Sequence, residues 1–416
     1  MPDNGTKQSP VRTLTVKNFS VIKEAKLEFG KITVLIGPQA SGKSLLCKLA
    51  YFLGRELIMN ADGRIRASGP GSEYSAFERS VKKEFEEWFP RGGWGNGPWS
   101  VSFQSQGYEV ALASGKNPGD EVSVAFCKEF HAAYSKSLTY TYPDREYFPA
   151  YVLRGLAGQG VWDRTTYIPS ERTYFVDTSK DYKALVSDPE PLVSAFASLY
   201  SNARDPKIPK PRMQRCLGGR LEQGEDQWKF AFEDGRSLAL GNMSSGSKEL
   251  LPLFSVLEMY EHQRPATKAQ INGGLVPEDS YRSDDFYIEE PEGHIFPETQ
   301  REIVQYFAEL ANSAELHARI TVTTHSPYIL SAFNNLIEAS QVVAAKPELK
   351  DEVAKLIPAQ YWVEPEDFRA YAIEDGVLKS IVAQDTGLVS ANYLDRVSET
   401  IGMEFDELLR LGYVES

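Results

Sequence analysis

The sequence has little cysteine, no long apolar run and no excess of positive charge. Its three cysteines, Cys47, Cys127 and Cys216, are too few and too scattered for a disulfide framework. No C-x-x-C pair is present, which argues against a structural zinc site, and a hook-type zinc dimerisation motif is absent as well. No uncharged apolar stretch approaches the roughly 18 residues of a membrane span. The opening MPDNGTKQSP is polar and lacks the apolar core of a signal peptide, so a cytoplasmic location with no membrane contact is expected. Lys and Arg total 45 against 58 Asp and Glu, a net charge of −13, which argues against a globally basic nucleic-acid binder but leaves room for a local basic face. The densest basic run, Lys207 to Arg215 (KIPKPRMQR), continues to Arg220 and reads as a solvated, proline-stiffened loop; the alternative is a patch for nucleic acid or an acidic partner. No heptad pattern and no solenoid-length repeat is sustained. What remains is an ordinary globular composition, 42% apolar and 25% charged, in 416 residues, enough for two or three lobes.

Within it one stretch stands out, residues 32 to 53. The apolar run Ile32 to Ile36 reads as a buried strand and leads into Gly37-Pro38-Gln39-Ala40-Ser41-Gly42-Lys43-Ser44, followed by Leu45 to Leu53 at helical spacing. This is G-x-x-x-x-G-K-[ST] in the strand–loop–helix setting of a phosphate loop. Glycines let the backbone curl so that several N–H groups face one anion. The helix adds the positive end of its dipole. Lys43 can reach the β- and γ-phosphates and the Ser44 hydroxyl can ligate Mg²⁺.

The rest of the chain divides around this stretch. Residues 1–10 read as disordered. Val11 to Val16 and Val21 to Phe29 read as an antiparallel pair before the loop strand. Between 54 and 165 the pattern is weaker: a helix over Phe77 to Phe89, a hairpin of Trp99 to Phe103 with Tyr108 to Ala113, a helix over Val122 to Tyr134, and half-buried tyrosines near 140–151. Tyr167-Ile-Pro-Ser-Glu-Arg172 reads as a strand entering a loop, 190–204 as a helix, and Leu217 to Leu238 as a small sheet turning at Asp234-Gly235. Helices are expected over Lys248 to Tyr260, Gln300 to Asn312 and Tyr328 to Phe333, a strand over Arg319 to Thr323, and a mobile polar loop over His262 to Asp285. Residues from Leu336 onward read as mixed, with a hairpin at Asp375-Gly376 and a closing helix from Tyr393 to Leu411.

Three further motifs follow the phosphate loop. In LGNMSSGSKE a Ser-Ser-Gly turn opens onto a helix with Ser244 or Ser245 as N-cap; taken alone it reads as a plain cap. In FYIEEPE an apolar strand ends in Glu289 and Glu290, which fits either an acidic turn or a pair in which one carboxylate holds Mg²⁺ and the other orients water. In TTHSP a strand ends at His325, on the edge where open α/β sheets bind ligands.

In this order, GPQASGKS, MSSGSKE, YIEEPE and TTHSP resemble the ABC-type ATPase head of the SMC, RecF and OLD lineage, and more closely the bacterial stand-alone AAA family ATPases with an ABC-like head, which often sit in defence modules. The resemblance covers residues 11–45, 165–175 and 238–335, and 54–165 only weakly. It implies an α/β P-loop NTPase of ABC type: a central mixed sheet, an antiparallel β subdomain and a helical signature lobe. The implied division is 1–53 for the β subdomain and Walker A, 54–165 for an insertion lobe, 166–335 for signature, Walker B and switch histidine, and 336–416 for a C-terminal α/β extension.

The resemblance implies that Gly37, Pro38, Gln39, Ala40, Ser41, Gly42, Lys43, Ser44 and Leu45 cradle ATP. It implies that Ser44 and Glu289 hold Mg²⁺, Glu289 replacing the family's usual Asp. Glu290 then polarises the attacking water and His325 senses the γ-phosphate, so that Glu290, His325 and Lys43 form the catalytic set. Ser244, Ser245 and Gly246 would contact ATP bound by a second copy, giving a homodimer that sandwiches two ATP molecules, with higher oligomers open. Gln104, Gln106 and Gln159 are candidates for the glutamine loop, as is the Glu171-Arg172 neighbourhood. SMC-type arms are absent, and residues 335–416 lack a D-x-D pair, which argues against a nuclease in this chain. The reading is an ATP-dependent dimerisation switch acting on a separate effector, a nuclease or toxin. The alternative is a RecF-like repair ATPase that binds DNA directly, and a third class is a scaffold that binds ATP almost without turnover.

Overall fold

The computed structural model describes residues 12–59, 74–115, 121–137, 154–157, 163–177, 191–224, 227–272, 283–314 and 316–390, together with residues 403 and 406. The expected disordered start, the tyrosines of 140–151, Gln159 and most of the closing helix lie outside the described residues.

One sheet of eleven strands organises the chain, in the order β6-β5-β4-β1-β2-β14-β13-β3-β12-β11-β7. Its antiparallel half is β1 (Arg12–Phe19), β2 (Ile22–Phe29), β4 (Ser100–Ser105), β5 (Tyr108–Ala113) and β6 (Ser123–Phe126). Its parallel half is β3 (Ile32–Ile36), β7 (Arg164–Ile168), β11 (Asp284–Glu289), β12 (Arg319–Thr324) and β13 (Phe368–Glu374). The hairpin partner of β13, β14 (Val377–Ser380), joins the halves by pairing with β2. Strands from all four expected segments of the sequence thus enter one sheet. A separate three-stranded sheet, β8 (Gly219–Gln223), β9 (Trp228–Phe232) and β10 (Ser237–Ala239), precedes the signature stretch.

The sheet has an apolar core on each face. On β3, Ile32, Val34 and Ile36 face one core and Leu35 the other. This is why the strand reads as a continuous apolar run rather than an alternating one. Helices α1 (Lys43–Tyr51) and α2 (Tyr74–Trp88) cover the Leu35 face. The other face is covered by α4 (Pro191–Ala203), α6 (Ser245–Asn272), α7 (Pro297–Asn312) and α8 (Pro327–Ala345). At about 1.5–3 kcal/mol per buried aliphatic side chain, β3 is anchored far more firmly than any loop hydrogen bond could anchor it. The phosphate loop inherits that rigidity.

Four expectations are corrected. Val122 to Tyr134 is not one helix: β6 pairs with β5 through Ala111↔Ala125 before α3 (Lys128–Ser137) begins. Backbone pairing at the sheet edge overrides the ambiguous Val-x-Val-x-Phe pattern. The basic run is only partly a loop, because Pro211 opens α5 (Pro211–Leu217) as its first helical residue. The stretch from His262 to Asp285 is not a mobile loop throughout: α6 runs to Asn272, held by the buried Arg264–Asp284 pair, and β11 starts at Asp284. Helix α8 continues to Ala345, well past Phe333.

Helix α6 also carries a buried acid. Glu258, 2% exposed, accepts the N–H groups of Arg212 (2.6 Å) and Met213 (3.2 Å) at the start of α5. Burial nevertheless pushes its carboxyl up to about 7. The folded form therefore holds a proton that the unfolded chain releases near 4.5. The stabilisation is complete below that value and is lost as pH rises through about 7. Unfolding in urea at pH 5 and pH 8 should differ by about 2–3 kcal/mol from this group, with Glu258→Gln flattening the dependence. An unchanged slope in the variant would assign the effect elsewhere, the neighbouring Glu261, also raised by burial, being first in line.

Candidate active site

Strands β3, β7, β11 and β12 end together at one edge of the sheet, and their register aligns the ends: Ile36 opposite Thr324, Glu289 opposite Thr323, Ile168 opposite Ile288. Three of the four marked loops, those after β3, β11 and β12, leave from this edge, where ligands of open parallel sheets bind.

From β3 the chain turns through Gly37 to Gly42 into α1. Gly42 sits at φ +105°, a conformation that favours glycine, and a Cβ there would press on the Ile22 side chain, 2.5 Å from its Cδ1. Lys43 is buried, 4% exposed. Its Nζ donates to the carbonyls of Gly37 and Pro38 at 2.9 Å each and lies 3.1 Å from His325 Nε2. Burial lowers its pKa, opposed by the fields of Glu290 and Glu292. The ammonium is thus desolvated and bonded to two backbone carbonyls, a state that an incoming phosphate would relieve. Ser41 Oγ is buried without a hydrogen-bond partner among the described residues. An orphaned hydroxyl and a cation without a bonded anion, around a curled backbone, fit a triphosphate.

From β11 come the carboxylates. Glu289 is buried, its oxygens accepting from Tyr167 Oη (2.6 Å) and the Ser170 N–H (3.2 Å). The extra methylene relative to Asp is therefore fixed in place by two donors, and the free lone pairs suit Mg²⁺ together with the half-buried Ser44 at the start of α1. Glu290 adopts φ +40°, an unusual conformation for a non-glycine residue. Its N–H donates to the Thr323 carbonyl at 2.9 Å, and its Oε1 lies 3.0 Å from His325 Nε2. Lys43, His325 and Glu290 thus meet around one imidazole nitrogen.

Ser244, Ser245 and Gly246, expected as the signature, are not part of this cluster. Ser244 is the N-cap of α6, its Oγ accepting the Ser247 N–H at 3.2 Å, and Ser244 and Ser245 are exposed. Gly246 packs on the 290–294 turn, where a Cβ would lie 2.7 Å from the His294 carbonyl. Of the glutamine-loop candidates, Gln104 and Gln106 are exposed on β4 and its turn, in the antiparallel half. Arg172 is the one that reaches the site.

Tyr167, Ser170 and Glu292 are participants to which the sequence assigns no role, and Arg172 is a candidate whose contacts only the fold reveals. Tyr167 and Ser170 orient Glu289. Glu292 accepts from Thr324 Oγ1 (2.7 Å) and the His325 N–H (2.6 Å), fixing the loop that presents the histidine. Its position as the third acid of EEPE was the available signal. Arg172, fully buried, donates to the carbonyls of Pro169, Glu249, Glu289 and Glu290 and pairs with the Glu249 carboxylate at 2.9 Å. Burial lowers the Arg172 pKa and raises that of Glu249. Desolvation outweighs their mutual attraction, so the pair is poorly explained as a stability device.

A family model described as AAA ATPase domain matches residues 179–330. That span contains the signature, both carboxylates and His325. Over that span the chain is similar to the AAA ATPase domain family. The match covers less than half of the chain and leaves out the phosphate loop. Among solved structures, the chain is similar to the SMC head domain from Thermotoga maritima, with 12% identity over 89% of this chain and 98% of that one and a TM-score of 0.37. It is also similar to the Smc head domain from Pyrococcus furiosus bound to the C-terminal domain of ScpA (13% identity, 94% and 99% covered, TM-score 0.39). The recombination mediator RecF with ATP is a further similar structure (10% identity, 89% and 99% covered, TM-score 0.37). No curated protein matches the chain. Among the described residues, no helix is long and apolar enough to cross a membrane.

Proposed function

We propose that this ATPase is a nucleotide-dependent dimerisation switch: two copies close on two ATP molecules, hydrolysis reopens them, and the change is read by a separate effector protein. The observation that carries the reading is the split arrangement of its parts. Lys43, Glu290 and His325 converge around one imidazole nitrogen, while Ser244 and Ser245, at the N-terminal, positive end of a helix, are exposed, and among the described residues the Ser244 hydroxyl bonds only within its own helix turn. A phosphate held by the loop of one copy is the natural partner for that helix end in the other.

In this mechanism the phosphate loop and Lys43 hold the triphosphate, Glu290 orients and polarises the attacking water, and His325 links the γ-phosphate position to Glu290. Ser44 and Glu289 are the residues that would hold Mg²⁺, which neutralises phosphate charge when bound. ATP favours the closed pair because only the closed pair offers it both halves of the site.

Ser245→Arg tests the trans arrangement. It should leave ATP binding by the monomer intact while abolishing ATP-induced dimerisation and lowering turnover by about a hundredfold. Light scattering with and without ATP reads the first effect and phosphate release the second. Wild-type assembly and turnover in this variant would remove the signature from the mechanism.

The effector is proposed to be a nuclease or toxin in a cytoplasmic defence module, on resemblance alone. Direct DNA binding is the weaker reading. Lys210 is buried, donating to the Asp205 and Ile208 carbonyls, and Arg212 pairs with Glu309 beneath Tyr306. Two cations of the basic run are thus committed to protein partners.

A further inference from the structure

We propose that Arg172 is a positioning residue that couples the exposed first turn of α6 to the turn presenting Glu290, so that contact on the signature of a subunit adjusts the hydrolytic carboxylate of that same subunit. The proposal rests on the hydrolytic role given above to Glu290.

The geometry leaves little slack between the two elements. On the α6 side, Arg172 Nε donates to the Glu249 carbonyl at 3.1 Å, and its Nη2 lies 2.9 Å from the Glu249 carboxylate. On the other side, Nη1 donates to the Glu289 carbonyl at 2.7 Å and Nη2 to the Glu290 carbonyl at 2.9 Å. One planar guanidinium therefore spans both elements, and its fork fixes their relative orientation as well as their distance. The Pro169 carbonyl, 3.1 Å from Nη1, anchors the same group to the end of β7.

Glu290 needs such support. Its φ of +40° is a conformation that persists only where surrounding contacts over-determine it. The carbonyl of Glu290 receives Arg172 and the Gly293 N–H (3.2 Å), and its N–H is fixed to Thr323. Glycines bring the elements together: Gly246 abuts the His294 carbonyl, and a Cβ on Gly293 would lie 3.4 Å from the Glu249 carboxylate. Ser244 and Ser245 are exposed at the same end of α6. A displacement of that first turn moves Glu249, hence Arg172, hence the Glu290 backbone, and with it the distance from Glu290 to His325.

The test is a double-mutant cycle on the full-length chain with ATP and Mg²⁺. Glu249→Gln removes the charge while keeping the Glu249 carbonyl bonded to Arg172, and Arg172→Lys keeps charge but loses the fork. Each should lower kcat by roughly tenfold with the ATP Kd unchanged, and circular dichroism should show both folded. The decisive reading is Ser245→Arg combined with Glu249→Gln. If Arg172 transmits the signature contact, the double variant is no slower than Ser245→Arg alone. Multiplicative losses, or a wild-type kcat in Glu249→Gln, overturn the coupling. Failure of the underlying reading looks different: Glu290→Gln would then hydrolyse ATP at the wild-type rate whatever the state of Arg172.

Discussion

Glu290→Gln is expected to lower turnover by roughly a hundred- to a thousandfold and to accumulate a dimer with ATP bound. The substitution is nearly isosteric, so the turn, its left-handed φ and the Arg172 bonds to its carbonyls remain. What disappears is the negative oxygen 3.0 Å from His325 Nε2. Water is no longer polarised, while the triphosphate site, built from Gly37 to Ser44, is untouched. Binding therefore survives, and the closed state, normally relieved by hydrolysis, persists. Size-exclusion chromatography with ATP, followed by nucleotide analysis of the dimer peak, reads both parts. Turnover at the wild-type rate would remove Glu290 from the chemistry.

Lys43→Ala should be as damaging to binding as Glu290→Gln is to turnover, with ATP affinity falling at least a hundredfold, about 3 kcal/mol. The structure adds a second half to this expectation. Lys43 is desolvated in the folded protein and its pKa is lowered by that burial, so its charge opposes folding in the absence of an anion. Removing it should leave the melting temperature unchanged or raised without nucleotide, even as ATP ceases to stabilise the protein. Thermal unfolding with and without ATP separates the two effects. A variant that melts lower without ATP would show that the bonds from Nζ to the Gly37 and Pro38 carbonyls matter more than the buried charge.

The parts of this molecule that were legible in the sequence are those fixed by neighbours along the chain. A strand, a glycine-framed loop and a helix lie in consecutive residues, so GPQASGKS announces itself; the same holds for Glu289 and Glu290 at a strand end and for His325. The parts that were not legible depend on residues far apart. Arg264 extends α6 beyond its apolar stripe because it meets Asp284, a buried pairing without a periodic signature. Glu292 acts by reaching Thr324 and His325 across the sheet edge. Arg172 was visible as part of a motif, but its role lies in carbonyls contributed by Glu249 and by Glu289 and Glu290, which only the fold brings together. The basic run shows the reverse: its charges suggest a solvent-facing loop, whereas the Lys210 stem and Arg212 are drawn inward.

The position of β3 has a consequence for how the protein is made. Its two neighbours in the sheet, β12 and β13, lie nearly three hundred residues or more further along the chain. During synthesis the antiparallel strands, joined by shorter connections, can assemble as they emerge from the ribosome, whereas β3 must wait for both partners. Until residues near 374 have been translated, the strand that supports the phosphate loop has an unpaired edge. Competence to bind nucleotide is then expected to come late in biogenesis, and a chain ended before β13 should fail to retain ATP in an equilibrium binding assay.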